Sequence, residues 1–298
     1  MDLIDNILLP GSLWLIMYSI GLSLTLEDFR LLMRNRRALY VGVASMLIVA
    51  PLIGVLMALT FAPTPALAVG FVLLATCPGG MLSNLMTDIA KGDLALSLSL
   101  SILVSMIYIL VIPFYAHVAV LYFLGVEQTV QVPLTGFIWK IFSITLLPAS
   151  LGLLTRHYRP RLALASKGKI KLGAMAILLV AFGFIIADQL PVLRENFGAL
   201  FYITAGMNLL ALSAAFVFSK GARLSGQQVK AVCIEHMIRQ EGTAIYIAVT
   251  IVGSREMSLP MIMNTPVALI LCIAFVLAMR RYGESRRSVA SPVVSGID

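Results

Sequence analysis

Two short stretches of this chain carry residue types that could do chemistry. The first is Cys77-Pro78-Gly79-Gly80-Met81-Leu82-Ser83-Asn84. Proline deletes a helix hydrogen bond, and paired glycines accept backbone geometries closed to other residues. A break of this kind inside an apolar run, followed at once by a hydroxyl and an amide, is tolerable only where it is buried in protein or lines a wet cavity. The second stretch is Glu235-His236-Met237-Ile238-Arg239-Gln240-Glu241-Gly242-Thr243, with four ionisable groups within seven residues. Glu235 and Arg239 stand four apart and would pair if the segment were helical there. The plain alternatives are a proline kink that serves packing and a self-neutralising pair that holds helices together. An enzymatic reading finds no support: His236 to Glu241 lacks the H-E-x-x-H spacing, and no G-x-S-x-G elbow occurs. Asp93, after Gly92, reads as the cap of the next helix.

The elements that position these stretches are membrane spans. Of the 298 residues 60% are hydrophobic and only 12% are charged, too few polar groups for the surface of a soluble domain. Apolar runs long enough for a ~30 Å hydrocarbon layer recur along nearly the whole chain. Nine spans are expected: 8–26, 38–59, 67–90, 94–121, 134–155, 172–187, 197–218, 229–252 and 259–279. Only part of the long 94–121 run need cross. The first chemical stretch falls in the third span and the second in the eighth. An ionisable group inside a span costs about 2.5–3.5 kcal/mol for Arg or Asp, so such a cluster marks a pathway. The two spans lie five apart and therefore cross in opposite directions, as inverted repeats require.

Charge placement sets the expected topology. The loops after spans one, three, five and seven, with the C-terminal tail, hold eighteen Lys and Arg, against two (Arg194 and Arg255) on the other face. The positive-inside rule makes the first face cytoplasmic, with the N-terminus outside and the C-terminus inside. The net charge of +8 is thus a topology signal, and no nucleic-acid partner is implied. Cys77, Cys233 and Cys272 sit in apolar runs with no disulfide or metal spacing. No basic residue precedes the first span, so no cleaved leader is read.

The residues Cys77-Pro78-Gly79-Gly80, Ser83-Asn84, Lys91-Gly92-Asp93 and Ala95-Leu96-Ser97 make the chain resemble the bile acid:sodium symporter family. Gly21-Leu22-Ser23-Leu24, Asp28-Phe29-Arg30 and Glu235 add to the match. The resemblance implies an all-α polytopic fold of inverted repeats, with a panel, a core and two discontinuous crossing helices. A nine-span bacterial-type member would have repeats of four and five helices, at about 8–122 and 133–281. Residues 1–281 would form one transport domain in the cell membrane, and 282–298 a disordered cytoplasmic tail. The implied activity is sodium-coupled, alternating-access symport of a small organic anion, with Na+ as the coupling ion and no other cofactor.

Carried over residue by residue, one sodium site would comprise Ser83, Asn84, Ser97, Ser101 and Glu235, uncharged oxygens plus one carboxylate. The family's second sodium site departs here. Its two glutamine positions are Met46, five residues before Pro51, and Arg239. A thioether is a poor ligand for a hard ion and a guanidinium repels one. The expectation is that Arg239 replaces that cation by pairing with Glu235 or Glu241. Gly80, Met81 and Gln240 would face substrate, and the last two differ from the family pattern. His236 and Glu241 leave proton-coupled and uncoupled transport open beside one-sodium symport. A channel or membrane sensor is the remote alternative.

Overall fold

The computed structural model describes residues 3–25, 36–125 and 134–289. Asp28-Phe29-Arg30, Arg34 and residues 290–298 of the expected tail lie outside the described residues, as does the side chain of Met81. In chain order the helices begin with α1 (Ile4–Gly21), α2 (Arg36–Phe61), α3 (Pro65–Thr76), α4 (Met81–Ile89) and α5 (Leu94–Leu124). They continue with α6 (Thr135–Tyr158), α7 (Pro160–Asp188) and α8 (Leu190–Gly221). The last are α9 (Gly226–Met237), α10 (Glu241–Ile251) and α11 (Leu259–Val289). No strand occurs among the described residues. Among the described residues seven helices are long and apolar enough to cross a membrane: α1, α2, α5 to α8, and the stretch Glu256–Met279 that leads into and fills most of α11.

The third and eighth expected spans are each two half-helices. Thr64 caps α3, its hydroxyl accepting from the Leu67 N–H at 3.1 Å, and Pro65 supplies the first helical φ. That helix stops at Thr76 because the residue before a proline is pushed to extended backbone, and Cys77 has ψ 136°. The chain resumes as α4 at Met81. Asp93 caps α5 as expected, its carboxylate accepting from the Leu96 N–H at 3.0 Å. Ser225 and Gln228 form a reciprocal capping box at the start of α9. That helix ends at Met237, and Ile238 is extended with ψ 104°.

Two differences from the sequence reading concern helix length. The lysine-rich segment before residue 172 is the start of α7, not a loop, since Pro160 suits a first helical position and lysine loses little rotamer freedom in a helix. The final helix runs on to Val289, past the start of the expected disordered tail at 282. Its Arg and Glu residues are good helix formers and no proline intervenes.

Helix α1 packs against α6 and α7, whereas α3 packs against α2 and α5, and α8 against α9 and α11. Half-helix α3 is the most enclosed, every residue from Leu67 to Thr76 being buried. Outer surfaces are apolar: Leu172 is 73% exposed, Leu179 66% and Leu110 67%. Bare leucine on this scale is stable against hydrocarbon and not against water.

Candidate cation and anion site at two crossed helix breaks

The breaks between α3 and α4 and between α9 and α10 touch. Gly79 and Arg239 form an isolated antiparallel pairing, and the Gln240 N–H donates to the Pro78 carbonyl at 2.8 Å. Two chain segments that lack helical hydrogen bonds thus supply some of each other's missing partners. Gly79 allows the approach: a Cβ there would lie 1.7 Å from Glu235 Oε2.

Glu235, on the last turns of α9, is fully buried. Its Oε1 accepts from Ser83 at 2.7 Å and Ser97 at 2.6 Å. Ser101 lies 3.1 Å from both carboxylate oxygens. The Ser97 hydroxyl is also 2.8 Å from Asn84 Oδ1, and that of Ser83 2.5 Å from the Gly80 carbonyl. Each hydroxyl has one proton, so these oxygens outnumber the protons available to them. A hard cation among them would relieve that deficit. All five residues carried over from the resemblance therefore meet, from α4, α5 and α9. Thr87, whose hydroxyl donates to Ser97 at 3.3 Å, adjoins them and was not anticipated. No three His, Cys, Asp or Glu side chains converge among the described residues. The donor set of hydroxyls, amide and one carboxylate fits an alkali cation better than a transition metal.

Arg239 pairs with neither carboxylate, contrary to expectation. Because α9 ends at Met237, Arg239 lies beyond the helix and loses the four-residue register with Glu235. Its Nη1 donates to the Ala75 carbonyl and, at 3.5 Å, to that of Leu74, while Nε donates to the His236 carbonyl at 3.1 Å. The guanidinium thus sits at the carbonyl end of half-helix α3, where the helix dipole favours a cation. Met46 is buried in a π-helical turn of α2 (Ser45–Val49). His236 is buried with Nδ1 bonded to the Val232 carbonyl at 2.8 Å.

Glu241 belongs to a second network. It accepts from the Asn264 amide and the Thr265 hydroxyl of α11, and the Asn264 carbonyl oxygen accepts from Asn208 of α8 at 2.6 Å. Sequence reasoning passed over Asn208, Asn264 and Thr265, although intramembrane amides were the available signal.

A cavity of about 450 Å³ opens beside the Glu235 cluster, reaching Asn84 and Ser101. Gly80, Asn84, Ser101, Gln240, Met17 and Thr145 are among the residues that line it. Among the described residues the Gln240 amide has only the Met17 sulfur as a side-chain partner, at 3.4 Å. A thioether is a weak acceptor, so the amide keeps capacity for a ligand oxygen.

Several known proteins resemble this chain in sequence. The chain is 28% identical over 232 residues to a probable sodium/metabolite cotransporter, chloroplastic, of Oryza sativa subsp. japonica, a match covering 78% of this chain and 54% of that protein. It is 24% identical over 237 residues to an uncharacterized sodium-dependent transporter of Bacillus subtilis (strain 168), covering 79% and 72%. It is 26% identical over 169 residues to an ileal sodium/bile acid cotransporter of Oryctolagus cuniculus, covering 56% and 48%. The chain thus spans about half the length of the rice and rabbit relatives. The family model described as Sodium Bile acid symporter family matches residues 10–196, which include the first break and its serines, and the chain belongs to that family.

Proposed function

We propose that the protein is a secondary carrier that couples one Na+ to the movement of a small organic anion by alternating access. The observation that carries this reading is the convergence of Ser83, Ser97 and Ser101 on buried Glu235, with Asn84 joined through Ser97, directly beside the cavity. A cation there would join α4, α5 and α9 and organise the wall that holds substrate. The first-turn N–H groups of α4 would meet the anionic head. Gly80, Met81 and Gln240 would set substrate choice among sterol-like acids, keto acids and hydroxy acids. On this reading the seven long helices and the two broken elements make nine spans in inverted repeats of four and five. Helices α1, α6 and α7 would be the panel and the others the core, in a cell membrane with the N-terminus outside.

Arg239 supports a stoichiometry of one. Its fixed charge at the α3 carbonyl end takes the place of a second mobile cation, without an ion pair to Glu235 or Glu241. Proton-coupled or uncoupled transport is the second reading, favoured by the buried Glu241 network. Uptake of labelled acids into proteoliposomes under a sodium gradient tests the choice. Sodium-driven uptake lost in Glu235→Ala and Asn84→Ala is expected; uptake indifferent to both substitutions overturns the proposal.

A further inference from the structure

Two ion pairs lie at one place, and both use Arg255. Its Nη2 is 2.8 Å from Asp5 Oδ2 and its Nε 3.3 Å from Asp5 Oδ1, a two-pronged contact. Its Nη1 is 2.9 Å from Asp188 Oδ2. The Thr250 hydroxyl adds a bond to the Asp5 carbonyl at 2.7 Å. Asp5 is in the first turn of α1 and Asp188 is the last residue of α7, two helices that pack together. Arg255 and Thr250 belong instead to the end of α10 and the segment joining it to α11. The contact therefore ties one helix group to the other.

Its position relative to the cavity gives it meaning. The cavity lining includes Met17 in the second half of α1 and reaches Ser23 and Leu24 beyond its far end, with Leu98 near the start of α5 and Leu153 near the end of α6. Eighteen residues at a 1.5 Å rise place Asp5 about 27 Å from Ser23. Between cavity and ion pairs the groups meet closely: Leu13 is buried, and a Cβ on Gly242 would come within 2.7 Å of its side chain. The cavity thus extends toward the end of α1 that bears Leu24, and Arg255 sits over the closed opposite end.

We propose that Asp5, Asp188 and Arg255 form a gate latch, which holds this end shut while the cavity is open at the other and parts when the two helix groups rock. This rests on the alternating-access reading. An ion pair inside one rigid group would survive every step of transport, whereas a pair across the seam must break once per cycle. Arg255 side-chain exposure of 13% leaves the contact within reach of water, so it can open without stranding buried charge.

The test uses the full-length protein in proteoliposomes, with Ser105→Cys in the cavity wall as reporter and a membrane-impermeant maleimide added from the Arg255 side. Arg255→Gln and the Asp5→Asn/Asp188→Asn pair are expected to raise labelling about threefold or more by shifting the population toward the form open on that side. Arg255→Lys should keep most of the wild-type protection. Labelling unchanged in both charge-neutral variants, with the protein monodisperse, overturns the latch. Sodium-dependent thermal stabilisation, measured on the same samples, separates the two claims. If it is absent in the wild type while labelling responds, sodium coupling fails and the latch stands.

Discussion

Replacing Gly79 with alanine tests the cation site through a single methyl group. The added Cβ would stand 1.7 Å from Glu235 Oε2 and 2.6 Å from its carboxyl carbon. Ordinary contact begins near 3.4 Å, so the carboxylate must retreat by about 1.7 Å. Its serine contacts, now 2.6–3.1 Å, cannot survive a displacement of that size. Overpacking alone costs about 1–3 kcal/mol of stability. The distinctive effect is on sodium. At 100 times the dissociation constant a ligand adds about 2.7 kcal/mol, and a site weakened a hundredfold adds only about 0.4 kcal/mol at the same concentration. Thermal unfolding in sodium chloride against choline chloride, at equal ionic strength, reads this increment directly. Gly80→Ala is the control, because its Cβ would meet only the Gln240 Cβ at 3.3 Å. An undiminished sodium increment in Gly79→Ala would refute the placement of the cation at Glu235.

Ser101→Ala removes a hydroxyl that spans both carboxylate oxygens and is expected to weaken sodium binding about tenfold, or 1.4 kcal/mol, with Ser101→Thr nearly neutral; a calorimetric titration checks both. Arg239→Gln strips a charged donor from three carbonyls and should lower stability by about 1.5–3 kcal/mol, seen as a reduced Tm; an unchanged Tm would show that those contacts carry nothing. Asn264→Ala leaves Glu241 and Asn208 without their shared partner, so a loss of about 1–3 kcal/mol is expected, and Asn264→Asp should be worse because it sets two carboxylates together.

The parts of the site that were legible in the sequence owe this to chemistry that local spacing exposes. Pro78 forces its own break, and Glu235 declares itself by its cost inside an apolar run. The second break was expected from the family resemblance, but no residue type marked its place. Ile238, Arg239 and Gln240 do not disfavour helix as proline or glycine would, and their extended backbone accompanies the pairing with Gly79 and Pro78. The expected Glu235–Arg239 pair assumed helical register through that point, and so it failed. Asn264 and Asn208 find Glu241 only through packing of α8, α10 and α11. The start of α7 was missed for another reason: a hydropathy window sees its lysines and stops, although Pro160 is a helix-start signal.

Equilibrium binding of radioactive sodium to the purified protein, wild type beside Glu235→Gln, tests the central claim most directly. Glutamine keeps the shape of the side chain and removes the charge that the serine and asparagine oxygens surround. The account predicts one saturable sodium site per chain in the wild type and its loss in the variant. Sodium binding that persists undiminished in Glu235→Gln, or no saturable binding in the wild type, would contradict it.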